Sequence, residues 1–259
     1  MLLEMTSKAV WNGIHFDMNT VIPAWVIVVY ILIIVALMLY GWRKHLLSSY
    51  RTVDYVYMGL LAALLVIWNF FISPLIPKVS AVTSWFYYPL IGEVIILLLA
   101  ASLIGKPGTV MLTMFIYTVL SDIFHYGFGG EPFWFVYELI AYAAMLDLYL
   151  LVRGKYFGTN NQALGKRTVK TEQGEVKTEE RVITIPGLFV IDSVIGGVII
   201  AIAFPLFYHG FFATFVEGYS YTANYVLTTT LVSAVGGVIM GLIAAPFVAY
   251  IRKVITGVY

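Results

Sequence analysis

Cysteine is absent from this chain, which excludes disulfides, thiolate metal ligands and cysteine nucleophiles. Charge is scarce: 11% of the 259 residues are Asp, Glu, Lys or Arg, while 61% are hydrophobic. A soluble domain of this length could not hide so much apolar surface. The ten-residue alternating segments of a membrane barrel are missing. No G-x-x-x-x-G-K-[ST] sequence occurs, so any ATP chemistry belongs to a partner subunit and no cofactor is assigned to the chain itself. Neither H-E-x-x-H nor G-x-S-x-G nor a nucleophile beside a base is present. No catalytic residue is therefore assigned. The first 20 residues lack a basic stretch ahead of an apolar core, so no cleavable signal peptide is expected there. The formal net charge of +1 says nothing of partners until the charges are placed, and no nucleic-acid partner is expected.

What is present is a series of apolar runs, and the mean hydropathy is +0.91. Each run is roughly 20 residues long, the thickness of a hydrocarbon core. The expected fold is all-α, a polytopic bundle of seven membrane helices at about 21–40, 53–72, 85–104, 109–126, 133–152, 186–208 and 225–251. Pro74 and Pro77 close the second run, and Gly105, Pro107 and Gly108 make the turn before the fourth. Gly127, Gly129, Gly130 and Pro132 make the turn before the fifth. Four stretches follow: an extracytoplasmic segment 1–20, a first span with a basic loop at 21–52, a six-helix domain at 53–253 and a tail at 254–259. The wealth of Tyr, Ile and Val without Cys is read as a thermophilic, archaeal composition.

Basic residues orient the spans. Arg43, Lys44 and Arg51 follow the first, Lys106 the third, Arg153 and Lys155 the fifth, and Arg252 and Lys253 the seventh. Lys166, Arg167, Lys170, Lys177 and Arg181 continue the loop after the fifth. That side holds all of the 15 basic residues except Lys8 and Lys78. The chain is thus expected in the cell membrane with its N-terminus outside and its C-terminus in the cytoplasm. The polar loop 153–184 carries VKTE twice, around Gln173, Gly174 and Glu175. It reads either as a small cytoplasmic β-hairpin or as a disordered charged loop.

Small residues recur every fourth position in the last two spans: Ser193, Gly197 and Ala201, then Ser233, Gly237, Gly241 and Ala245. Such ladders let helix backbones approach closely. The similar octets SVIGGVII and SAVGGVIM fit small-residue packing better than a duplication.

The polar residues inside the apolar runs ask for a reason, because charge in hydrocarbon is costly. The stretch 122–138, DIFHYGFGGEPFWFVYE, holds three acids, a histidine and several rings. Asp122 and His125 are three apart and share a helix face. Glu138 lies about a turn and a half into span five, Glu93 lies two turns into span three, and Trp68 and Asn69 end span two. All fall in the outer half. Trp68, Asn69, Glu93, Asp122, His125, Trp134 and Glu138 are the candidate binding residues. Glu131, His209 and Glu217 belong to outer loops, and Asp147 and Asp192 to the inner half, as helix caps or partner contacts.

Three readings of the outer cluster stand side by side. Carboxylates beside rings suit a small cationic solute. Glu93, Asp122, His125 and Glu138 could instead offer mixed nitrogen and oxygen ligands to a metal. The groups could also be interhelical hydrogen bonds near the interface.

Without the first span, six helices remain with both ends in the cytoplasm. The run IWNFFISPLIP at 67–77, the GKPGT turn at 105–109 and the glycine-rich end of span seven before Arg252 and Lys253 are similar to one family. They resemble the substrate-binding S components of energy-coupling-factor vitamin transporters, in the thiamin and hydroxymethylpyrimidine group, over about 53–253. The resemblance implies six helices around an outward pocket for a vitamin-like solute. It also implies docking on a transmembrane coupling subunit, with two cytoplasmic ATPases supplying the drive. The docking face is expected at Gly59, Ala62 and Ala63, with Gly237 and Gly241 as further partner contacts. The extra first span and the long loop 153–184 depart from that pattern. The alternatives are an integral subunit of a respiratory or monooxygenase complex, carrying a metal or protons in the outer cluster, and a scaffold for other membrane subunits.

A reporter fused to the C-terminus is expected to read cytoplasmic. An extracytoplasmic signal would overturn the orientation.

Overall fold

The computed structural model describes residues 18–43, 50–76, 89–126, 133–154, 157–158, 162–170 and 176–256. For some of these, His125 and Trp134 among them, only the backbone is described. Helix α1 is Ala24–Arg43. Helix α2 begins as Thr52–Ile67 and runs on through a π turn, Trp68–Ile72, and a 3-10 turn, Ser73–Leu75. Helix α3 is Pro89–Ile104. Helix α4 is Thr109–Ser121, extended by a π turn at Asp122–Tyr126. Helix α5 starts at Phe133–Tyr137, passes through a π segment at Glu138–Ala144 and ends as Met145–Arg153. Strands β1 (Gln162–Lys170) and β2 (Val176–Thr184) then pair antiparallel, with Lys166 opposite Glu180 and Arg167 opposite Glu179. Helix α6 runs Leu188–Ala203, continues as a π segment, Phe204–Phe212, and closes at Ala213–Phe215. Helix α7 is Ala223–Thr256.

Five of these helices are long and apolar enough to cross a membrane: Ala24–Gly41, Thr52–Leu75, Phe135–Arg153, Leu188–Phe215 and Ala223–Ile255. Two are shorter, Pro89–Ile104 and Thr109–Phe124. The 16 residues of α3 reach about 24 Å at 1.5 Å each, less than a hydrocarbon core. Helix α6 outruns its expected end at residue 208: the π segment that takes in Pro205 continues to Phe212, and the helix closes at Phe215. His209, expected in a loop, therefore lies within α6.

Helix α3 is the axis of the bundle, packed by α2, α4, α6 and α7. Leu90, Val94, Leu97, Leu98, Ala100 and Ala101 are all fully buried along it. Helices α6 and α7 meet backbone to backbone. A Cβ on Gly197 would stand 2.5 Å from the Gly237 carbonyl oxygen, and one on Gly241 would stand 2.5 Å from that of Ser193. No real side chain fits there. Gly237 and Gly241, expected to face a partner, are taken up inside the chain by this crossing. Ala62 is likewise fully buried in the core. Gly59 is different: nothing lies within 4 Å of its Cβ position, and Tyr55, Val56, Leu60 and Leu64 are exposed around it. Ala63 is half-buried.

Contacts fix which helix ends lie together. At the end from which the β-hairpin leaves, Asp54 of α2 takes an ion pair from Lys106 Nζ at 2.6 Å and a hydrogen bond from the Arg51 amide at 2.8 Å. Asp192 of α6 takes two hydrogen bonds from Arg153, Nε and Nη2 each at 2.7 Å, one from Tyr149 Oη at 2.7 Å and one from the Gly158 amide. Asp147 of α5 reaches across to the start of α4, where the Val110 and Met111 amides donate to its two oxygens at 3.2 and 2.7 Å. First-turn amides have no partner inside their own helix, and the helix dipole favours an anion there. Asp147 is thus a cap supplied by a neighbouring helix, and Asp192 is an ion pair.

Asp147→Ala leaves two buried amides without partners, at about 1–3 kcal/mol each. The substitution is expected to lower the melting temperature of the purified protein in detergent well below that of Asp147→Asn, which keeps an acceptor oxygen.

Candidate functional site

The opposite end of the bundle, away from the hairpin, is built differently. Trp68 opens the π turn of α2 and donates its Nε1 hydrogen to the Pro89 carbonyl at 2.9 Å. Its ring covers Gly92 of α3, where a Cβ would lie 2.3 Å from ring atoms. That close seat brings the next residue, Asn69, onto α3. The Asn69 amide donates both hydrogens, one to Glu93 Oε1 at 3.0 Å and one to Tyr117 Oη at 2.8 Å. Tyr117 in turn stacks on Phe70, with centroids 6.5 Å apart. Helices α2, α3 and α4 are thus tied by one side-chain amide.

The remaining atoms of this group are open. Glu93 is only 6% exposed, yet among the described residues its Oε2 has no hydrogen-bond partner, and neither has Asn69 Oδ1. Two buried acceptors therefore stand free beside each other's parent groups. Glu138, the first residue of the π segment of α5, faces the Thr118 hydroxyl through Oε2. The same hydroxyl lies 2.8 Å from the Met114 carbonyl. Thr118, which meets Glu138, follows Tyr117 on α4, so Glu138 and the Asn69–Glu93 pair approach the same stretch of that helix.

Of the candidate residues, the structure brings together Trp68, Asn69, Glu93 and Glu138. Asp122 stands at the next turn of α4, where the helix widens. The side chains of His125 and Trp134 lie outside the described residues, as do Glu131 and the turn around it. Tyr117 was not among the candidates, although Thr113, Tyr117 and Ser121 form a polar ladder at four-residue spacing along α4. Ser121 and Thr113 turn back on their own helix, donating to the Tyr117 and Thr109 carbonyls, which leaves the Tyr117 ring for the cluster. Among the described residues, no three His, Asp or Glu side chains gather as a metal site would require.

Four π stretches occur at this end, at Trp68–Ile72, Asp122–Tyr126, Glu138–Ala144 and Phe204–Phe212. π-helical turns are uncommon and concentrate at functional sites. Asn69, Glu138 and His209 all sit in them. His209 is ringed by Phe204, Tyr208, Tyr221 and Tyr225, with centroids 4.6 to 5.4 Å away. Its Nδ1 is buried without a partner among the described residues. Beside it, Tyr208 Oη donates to Glu217 Oε2 at 2.7 Å, on the turn after α6.

No family model matches the chain, no curated protein is similar to it, and no solved structure matches it.

Burial raises the Glu217 carboxyl above its ordinary range, and the Tyr208 hydrogen bond offsets part of that rise. A raised carboxyl stabilises the fold when protonated and loses that contribution as pH climbs through its folded value. Wild-type protein is therefore expected to lose melting temperature relative to Glu217→Gln as pH rises from the ordinary carboxylate range. A difference that stays constant with pH would show that Glu217 is not buried in this way.

Proposed function

We propose that the chain is a seven-span membrane subunit that binds a small organic cation at the Asn69–Glu93–Glu138 cluster. The N-terminus and the cluster face outside, and the hairpin and C-terminus face the cytoplasm. One observation carries the reading: Glu93 Oε2 and Asn69 Oδ1 are buried acceptors without donors. A ligand with neighbouring N–H groups and a positive charge supplies what both atoms lack. Trp68, Phe70 and Tyr117 give the aromatic surroundings that suit a protonated or quaternary heterocycle. Among the described residues, every lysine and arginine lies at the hairpin end, so no side chain of the described protein competes for the place.

The resemblance to S components extends this reading to uptake. In that extension the loaded subunit reorients against a membrane coupling subunit, and cytoplasmic ATPases supply the work. Gly59, with its open surroundings on α2, supports a close helix contact there.

The test is a thermal-shift series on purified protein with thiamin, hydroxymethylpyrimidine and neutral analogues, run beside metal analysis of the same sample. The cations are expected to raise the melting temperature of wild type and to leave Glu93→Gln unmoved. Stoichiometric iron or copper with no shift by any cation would favour the respiratory or monooxygenase reading instead.

A further inference from the structure

Helix α1 touches the rest of the bundle along one narrow stripe. Ile27, Ile34 and Gly41 are its buried residues, seven apart, and Tyr30 and Ile31 are half-buried between the first two. Positions at that spacing share a helix face. Trp25, Val28, Val29, Leu32 and Ile33 are exposed on the other side, as suits a span that faces lipid. Tyr30 is the polar member of the stripe. A hydroxyl inside an apolar span is costly unless it is hydrogen-bonded, and Tyr30 Oη donates to the Ile140 carbonyl of α5 at 3.0 Å. Its ring lies against Phe207 of α6, with centroids 4.9 Å apart. Just ahead of α1, the Ile22 amide donates to the Gly210 carbonyl of α6 at 2.8 Å.

These contacts share a target. Ile140 belongs to the π segment Glu138–Ala144, and Phe207 and Gly210 belong to the π segment Phe204–Phe212. Helix α1 and its lead-in thus take hold of both widened stretches, and Tyr30 alone touches the two. A carbonyl oxygen has two lone pairs, and a widened turn binds its carbonyls less firmly to its own amides. Such a stretch has oxygens to offer a neighbour. Glu138 lies two residues before Ile140 in the same π segment, and it meets Thr118 of α4. Successive residues of an α-helix are about 100° apart around the axis. Each residue added by widening turns the part of α5 ahead of it by about that angle. The π segment therefore sets the bearing from which Glu138 reaches α4.

We infer that Tyr30 of α1 is a positioning residue of the binding site proposed above, a reading on which this inference rests. Its hydroxyl pins the π segment of α5 at Ile140, and its ring braces that pin against the π segment of α6. With the pin in place, Glu138 is aimed at Thr118, on the stretch of α4 where Tyr117 joins Asn69 and Glu93. Without it, α5 relaxes toward ordinary α-helical spacing and Glu138 turns away from α4. Helix α1 is thus part of the frame of the site, although it does not touch the ligand.

The chain has no cysteine, so a pair of spin labels can be placed selectively at Val136→Cys and Val152→Cys. Both positions are exposed, at 38% and 82%, and they flank the π segment of α5. The distance between the labels is measured by pulsed electron paramagnetic resonance on the full chain in lipid nanodiscs, and thiamin affinity is measured on the unlabelled protein. Tyr30→Phe keeps the ring and removes the hydroxyl. It is expected to add a second distance population and to weaken thiamin binding about fivefold, the effect of one net hydrogen bond. Ile34→Ala removes packing from the same stripe and leaves the hydroxyl in place. It is expected to lower the melting temperature while distance and affinity stay as in wild type. An unchanged distance in Tyr30→Phe overturns the inference, and so does a changed distance with thiamin affinity intact. An equal change of distance in Ile34→Ala also overturns it, since any loosening of α1 would then suffice. Wild type that fails to bind thiamin counts against the binding reading alone, and the distance in Tyr30→Phe then still decides whether Tyr30 sets the bearing of Glu138.

Discussion

A carboxylate withdrawn from water must be met by a cation, by aligned N–H groups or by a proton, and this requirement organises the molecule. Helix starts and basic side chains answer it at the hairpin end, where α2, α4 and α6 begin. Asp147 joins α5 to the start of α4, Asp54 joins α2 to the turn between α3 and α4, and Asp192 joins α6 to the end of α5. Each acid there serves as a clamp between elements distant in sequence. Among the described residues, Glu93 and Glu138 are held by the neutral Asn69 amide and Thr118 hydroxyl, in a place the packing of α2 on α3 shapes. Gly92 admits the Trp68 ring, the ring seats α2, and the seat delivers Asn69 to Glu93. That chain of contacts leads to an unfilled acceptor pair, which is the opposite of what structural hydrogen bonding alone would produce.

The π stretches belong to the same design. Widening a helix by one residue per turn leaves backbone groups less tightly paired and turns the side chains beyond it to a new bearing. Four helices do this at one end and none does so at the hairpin end among the described residues. The rigid clamps and the loosened turns thus sit at opposite poles of one bundle.

Much of this was legible in the sequence, for physical reasons that can be named. Apolar runs of membrane length mark helices whatever their neighbours do, and the glycine turns at Gly105–Gly108 separate α3 from α4 as expected. The scarcity of charge made Asn69, Glu93 and Glu138 stand out. Helix rotation was not legible, because α3 is apolar on every side and no stripe tells which face meets α2. The pairing of Asp122 with His125 on one face assumes 3.6 residues per turn, and α4 abandons that spacing at Asp122. The sixth apolar run was expected to end at residue 208, yet the widened turn carries the helix on through Phe212, so His209 was placed in a loop. The ladders of small residues announced a close helix contact without naming the partner helix, and the partner of Gly237 and Gly241 is α6 of the same chain.

The crossing of α6 and α7 also has a mechanical side. Where Gly197, Gly237 and Gly241 meet, carbonyl groups press on glycine α-carbons with no side chains between them. Side chains are the layer that lets packed helices slide, since they can change rotamer as the backbones shift. Without that layer, α6 and α7 travel as one plate. Asn69, Glu93, Tyr117 and Glu138 are all borne by the other helices, α2 to α5. The cluster is thus carried by helices that stand outside this plate, with α3 packed between the two.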